Sequence, residues 1–175
     1  MSSSKQGFYS KFVMSLRLFR YFMNCWPPFI GMRIHIEHIS DDWQTLRMRM
    51  KLGLGNKNFV GSHFGGGLFA MVDPLYMVMP MHLLSRDYLV WDKSAKIDFV
   101  TPARGTVYAH FSISNAMLDE IKAKTAGGEK FARPTQSTLL MPPESASRAS
   151  TRLSTFGSSV RDILPFNAIF IPRRA

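Results

Sequence analysis

The chain has 175 residues and a mass of 19.9 kDa, enough for one domain with a substantial core and short for two. Apolar residues make up 46% and charged residues 19%, which excludes a disordered chain. The lone cysteine, Cys25, excludes a disulfide framework, and without a Cys/His cluster of zinc-ligand spacing no metal site is expected. Lys and Arg outnumber Asp and Glu by 22 to 12, but they are scattered and no nucleic-acid motif accompanies them, so no nucleic-acid partner is expected.

Residues 8–23 (FYSKFVMSLRLFRYFM) are apolar but interrupted by Lys11, Arg17 and Arg20. No run of about 20 uncharged apolar residues spans a bilayer, and Cys25-Trp26-Pro27-Pro28 is not a signal-peptide cleavage site. The pattern predicts an amphipathic helix ended by Pro27-Pro28 and packed on the domain. Docking on a membrane surface is the alternative role for it. The expectation is a cytoplasmic chain with no stable membrane insertion.

From Met32 to Ile39 apolar and polar residues alternate, as in a strand. After the acidic turn at Ser40-Asp41-Asp42, Leu46, Met48, Met50 and Leu52 share one face, with Arg47, Arg49 and Lys51 on the other. This pair predicts a hairpin with one face on a core and one in water. His35 and His38 fall on opposite strand faces and make a poor metal pair.

A loop rich in Gly and Asn (53–62) leads to Phe64-Gly65-Gly66-Gly67 and an almost wholly apolar stretch through Met79. It predicts a helix buried on every side. Pro74 implies a kink, or one segment ending near Asp73 and a second starting at Pro74. Strands are expected at 88–91, 95–100 and 106–114, and a helix over 115–125 with Asn115 as a cap and Gly127-Gly128 as its stop. An antiparallel sheet wrapped around one apolar helix is the simplest α+β architecture that buries that helix.

This order, with Asn58, then Phe64-Gly65-Gly66, then Asp73, and a strand ending in the turn Thr101-Pro102-Ala103-Arg104-Gly105, resembles the hot-dog fold of acyl-CoA thioesterases. It is similar to an uncharacterised branch of that superfamily related to the phenylacetate-pathway thioesterases, and the likeness covers about residues 25–131. Those enzymes carry Asn, His-Gly-Gly and Asp at these spacings; here Phe64 replaces the His and His63 stands one residue earlier. The resemblance implies that the Gly65 N–H polarises a thioester oxygen and that Asp73 serves as base or nucleophile, across a dimer interface from the glycine loop. Asn58 would orient water or the thioester, while His63, Phe64, Gly66 and Arg104 would bind substrate, Arg104 as a candidate for CoA phosphates. Arg47 and Arg49 are further phosphate candidates, or simply a solvated strand face. The implied partners are acyl-CoA or another thioester and further copies of the chain, as a homodimer or homotetramer; no cofactor is implied, CoA being part of the substrate. Asp73 as a helix cap, and acyl-thioester or lipid binding without turnover, stand as alternatives.

The chain thus divides into an N-terminal helix (1–28), a hot-dog domain (29–131) and a tail (132–175). The tail holds seven Ser, six Arg and five Pro but no Lys, and has little periodicity from 132 to 159. The resembling family ends instead in a hairpin of the type Val-Asp-Val-Val-Asp-…-Gly-Glu-x-Val-Ala-Arg-Val-x-Lys-Thr-Leu-Tyr-Val-Arg. Residues 149–157 can be written GCG TCG ACA AGA CTC TCT ACG TTC GGN, and reading two bases later gives Val-Asp-Lys-Thr-Leu-Tyr-Val-Arg. The same shift over 136–149 permits Val-Asp-Val-Val-Asp-Ala-x-Gly-Glu-Arg-Val-Ala-Arg. The tail therefore reads as a frameshifted replacement of the last sheet hairpin, shifted between 131 and 136; a natural Ser/Arg-rich tail is the alternative.

Overall fold

The structure, a computed structural model, describes residues 15–84, 88–94, 97, 99, 101–140 and 163–172, with the backbone alone at 93, 133–140 and 163–172. Helix α1 (Leu16–Asn24) starts at Ser15, whose hydroxyl accepts from the Leu18 amide at 3.4 Å. Residues 8–14 of the expected N-terminal helix lie outside the described residues. The prolines do more than end α1. Pro27 and Pro28 occupy the first positions of a short second helix, α2 (Pro27–Met32), where a missing N–H costs nothing.

The hairpin forms as its period of two requires. Strands β1 (Ile34–Ile39) and β2 (Thr45–Lys51) pair antiparallel, with Ile34 opposite Met50 and Ile36 opposite Met48. The pairing slips between Ile36 and His38, so Ile34, Ile36 and Ile39 all point into the core. That slip also corrects the histidines: His35 and His38 are both exposed rather than on opposite faces. On the wet face Glu37 pairs with Arg47 at 3.1 Å and Arg49 at 3.4 Å, so this basic face is a solvated, ion-paired one. The outer edge of β1 is closed by Asn24, whose side chain bonds both the N–H (2.7 Å) and the C=O (3.2 Å) of Ile36.

Helix α3 (Gly65–Leu83) runs unbroken through Pro74 and Pro80. Asp73 is therefore an interior helical residue and caps no second helix. Its burial runs in alternating pairs, Met71/Val72, Leu75/Tyr76 and Met79/Pro80 inside, with Phe69, Ala70, Asp73, Pro74, Met77 and Val78 half-exposed. The expectation of a helix buried on every side thus fails for a single chain. One stripe stays partly open, and Asp73 is its single charged residue.

Strands β3 (Tyr88–Ser94), β4 (Thr106–Ser112), β5 (Phe131–Leu140) and β6 (Ile163–Pro172) complete a six-stranded antiparallel sheet in the order β1-β2-β4-β5-β6-β3. Of the expected strand at 95–100, residues 95, 96, 98 and 100 lie outside the described residues, and Ile97 and Phe99 belong to no strand. Helix α4 (Asn115–Thr125) is capped by Ser114 rather than Asn115, and Gly128 stops it in the left-handed region at φ 83°. Val90, Leu46, Met48, Met50, Val107, Ala109 and Phe111 from the sheet join α3 in one core, with the Tyr76 and Phe111 rings 5.2 Å apart. The sheet also continues beyond Phe131, where the sequence shows little strand pattern; residues 141–162 of the tail lie outside the described residues. Among the described residues no helix is long and apolar enough to cross a membrane.

Candidate active site

The site is built around the start of α3. Phe64 precedes the helix in an extended conformation and offers no side-chain cap. Its carbonyl accepts from the Gly67 and Leu68 amides, which leaves the Gly65 and Gly66 N–H groups without an acceptor among the described residues. Those two amides, at the positive end of the helix dipole, are donors available to an oxyanion. Aromatic rings wall them in. A Cβ on Gly65 would stand 2.9 Å from the Phe99 ring, and one on Gly66 would strike the Phe64 ring. Phe64 and Phe99 are themselves more than half exposed, so the walls face outward.

The loop before the helix is fixed by two asparagines. Asn58 donates to Ser62 Oγ (2.8 Å) and the His63 carbonyl (3.3 Å) and accepts from the Val60 and Ser62 amides. Both its donors and both its acceptor positions are thus engaged in its own turn. Asn58 shapes the glycine loop; it has no free polar atom to orient water or a thioester. Asn56, which the sequence reading missed, is buried and donates to the Met32 (2.5 Å) and Lys51 (2.9 Å) carbonyls while accepting from Gly53 N–H (2.7 Å). A polar residue in an Asn/Gly loop carries no sequence mark of burial, so nothing in the sequence singles it out.

His63 is buried, and its Nε2–H donates to the Gly105 carbonyl at 2.9 Å. Its main-chain N–H donates to Ala103 at 2.8 Å. Nδ1 is shielded and has no hydrogen-bond partner, and burial holds the ring below the ordinary histidine pKa. Arg104 stands exposed between Ala103 and Gly105, the two residues that hold His63, and so lies at the rim of the glycine loop.

Asp73 sits on the half-exposed stripe of α3, and burial raises its carboxyl above the usual range. The axial distance from Gly65, eight residues away, is about 12 Å at 1.5 Å per residue. One chain therefore brings Asn58, His63, Phe64, Gly65, Gly66 and Arg104 together and keeps Asp73 apart from them. A second acidic residue, Asp92 on β3, was also missed by the sequence reading. Burial, and then the charge of Asp73, push it up to about 6. The signal was present in Leu89-Val90-Trp91-Asp92, an apolar run that ends on a carboxylate.

A domain of unknown function, DUF4442, matches residues 16–133, from α1 into β5. The chain belongs to the DUF4442 family. Among solved structures it is similar to a Pseudomonas aeruginosa protein of unknown function named as a probable thioesterase, at 18% identity and a TM-score of 0.68 over 91% of this chain and 97% of that one. It is similar too to a protein of unknown function from Chlorobaculum tepidum, at 13% identity and a TM-score of 0.66 over 91% and 94% of the two chains. A Haemophilus influenzae thioesterase matches at 10% identity and a TM-score of 0.56 over 91% and 92%. No curated protein matches the chain. At these identities the likeness is one of fold, and with the sheet order and the helix packed on the sheet it gives this DUF4442 chain a hot-dog fold. Among the described residues no group of His, Cys, Asp or Glu could hold a metal ion.

Proposed function

We propose that this DUF4442 chain hydrolyses an acyl-CoA or similar thioester in the cytoplasm, without a cofactor, as a homodimer or larger assembly. The observation that carries the reading is a pair of glycine amides at the start of α3, unpartnered among the described residues, combined with a half-buried carboxyl, Asp73, on the same helix. The Gly65 and Gly66 N–H groups would bind the developing oxyanion, and Asp73 would take the proton of the attacking water or attack the carbonyl itself. Because about 12 Å separates Gly65 from Asp73 along the helix axis, both cannot serve one carbonyl within one chain. An antiparallel second copy of α3, packed on the open stripe of Phe69, Ala70, Pro74 and Met77, would bring Asp73 of one subunit to the glycines of the other. Phe64 and Phe99 would flank the thioester, and Arg104 at the rim would meet CoA phosphates.

The test is release of free CoA from a panel of acyl-CoAs, with Asp73→Asn as the comparison. Hydrolysis falls by about 100-fold or more in the variant, within the range for loss of a general base, while acyl-CoA binding survives. A second reading, acyl-thioester or lipid binding without turnover, is favoured by Phe64 at the family's His position. It predicts ligand binding with no CoA release by either chain.

A further inference from the structure

Helix α1 is apolar on two faces. Phe19 and Met23 are buried against the domain, as a surface helix requires. Leu18, Tyr21, Phe22 and the capping Cys25 stand at i, i+3, i+4 and i+7 on another stripe, where such a helix carries polar residues, and all four are exposed. From there the chain turns at once into α2, where Trp26 and Ile30, one helical turn apart, are exposed as well. The turn Gly53–Asn56 lies against the same short helix: Asn56 bonds the Met32 carbonyl, and a Cβ on Gly55 would stand 2.8 Å from the Gly31 carbonyl. Leu54, at the tip of that turn, is 92% exposed. An apolar surface of this extent calls for a partner.

The charge around it has one sign. Residues 1–36 hold Lys5, Lys11, Arg17, Arg20 and Arg33, with no Asp or Glu among them. Arg17 and Arg20 are exposed and lie one turn apart beside the apolar stripe. Arg20 gives one N–H to the Glu37 carbonyl at 3.3 Å, while the Glu37 carboxylate is taken by Arg47 and Arg49. Neither Arg17 nor Arg20 pairs with a described carboxylate. A second copy of the chain would set these arginines against their own kind in a two-fold contact. An anionic lipid surface complements both features: its headgroup boundary takes Trp, Tyr and apolar side chains, and its phosphates meet Arg.

We propose that α1, α2 and the Gly53–Asn56 turn form a docking face for an anionic bilayer. Leu18, Tyr21, Phe22, Trp26, Ile30 and Leu54 enter the headgroup boundary, and Arg17 and Arg20 meet lipid phosphates. With nine residues against the about 20 of a span, α1 lies along the surface and does not cross it. The face is distinct from the open stripe of α3, and the inference holds whether or not the chain hydrolyses thioesters.

The test uses the full chain with a polarity-sensitive fluorophore on Cys25, its sole cysteine and an exposed one. The probes are phosphatidylcholine vesicles with and without about 30% phosphatidylglycerol, and flotation of the unlabelled chain is read alongside. The emission is expected to shift to the blue, and the chain to float, with the anionic vesicles only, and both effects fade as salt rises. Phe22→Ser weakens binding by about tenfold or more, and Arg17→Gln and Arg20→Gln by about fivefold each. All three keep the parent's urea midpoint, because the side chains are exposed. Binding to neither vesicle, or equally to both, overturns the proposal. So do variants that float like the parent, which place the contact elsewhere. A fluorophore already shielded without vesicles means that a second copy or another segment of the chain covers the face, and overturns it too.

Discussion

His63 donates its Nε2–H to the Gly105 carbonyl at 2.9 Å, tying the entrance of α3 to the turn that starts β4. Gly105 accepts the Leu52 amide as well, so a single turn also holds the end of β2. Its φ of 76° lies in the left-handed region that glycine adopts freely. The glycines at the start of α3 therefore rest on a scaffold fixed by a buried residue. His63→Ala is expected to cost about 1–3 kcal/mol, the range for a lost buried hydrogen bond with its unmatched acceptor, read as a lower urea midpoint with an unchanged slope.

The same ring gives the chain an acid-sensitive side. Burial lowers the folded-state pKa of His63, and burial lowers those of His82 and His110 as well. The unfolded chain then binds protons more readily than the folded one. Stability is full above the ordinary histidine value of 6.5 and falls as pH drops below it, until the folded-state value is passed. Urea midpoints measured from pH 7.5 to pH 5 should decline, and His63→Gln should flatten the decline.

Asp92 works in the opposite direction. Its folded-state pKa, about 6, lies above the ordinary aspartate value of 3.8, so the folded chain binds the proton more tightly. Its contribution is present below pH 3.8 and is lost as pH rises through about 6. Asp92→Asn is therefore expected to stabilise the chain at pH 7.5 by roughly 1 kcal/mol, a figure already reduced for the solvent screening of a half-buried strand residue. Near pH 4 the gain should vanish.

Gly65 and Gly66 separate stability from activity. Gly65→Ala places a methyl 2.9 Å from the Phe99 ring, whose exposed end can shift. The helix gains up to about 1 kcal/mol from losing a glycine, so the melting temperature should hold or rise. Hydrolysis should fall by about tenfold or more, because the methyl stands where the thioester would approach the amide.

What the sequence made legible follows from which forces act locally. The β1–β2 hairpin was readable because Leu46, Met48 and Met50 alternate with Arg47, Arg49 and Lys51 without a break. Helix α3 was readable from its length and apolarity, and Asp73 from its spacing to Gly66. The unbroken path through Pro74 was not, because a lost N–H is tolerated where packing on the sheet holds both halves of a helix. Asp92 was missed because the apolar run before it marks a strand, while the burial that raises its carboxyl comes only with the packing of β3 on α3. Asn56 was missed for the same reason, its three partners lying on α2, β2 and the loop.

The last two strands set the sheet's demand against the residues present. β5 lies between β4 and β6, and β6 between β5 and β3, so both are interior strands. Pro134 stands in β5 outside its register with β4, and Pro165 stands in β6 at the register shift between Thr135 and Ser137. A proline has no N–H for the ladder and is confined to edge strands, strand starts and bulges. Over 136–157 the shifted reading gives Val-Asp-Val-Val-Asp and Val-Asp-Lys-Thr-Leu-Tyr-Val-Arg, rich in β-branched residues and free of proline. The gene between codons 131 and 157 is expected to carry that frame, as nucleotide sequencing will read directly. A chain repaired to it should melt cooperatively and above the chain as written, since β-branched residues would replace a stretch rich in Ser, Arg and Pro. Codons that exclude the frame would make the prolines native to the sheet, and the chain as written should then itself unfold in one cooperative step.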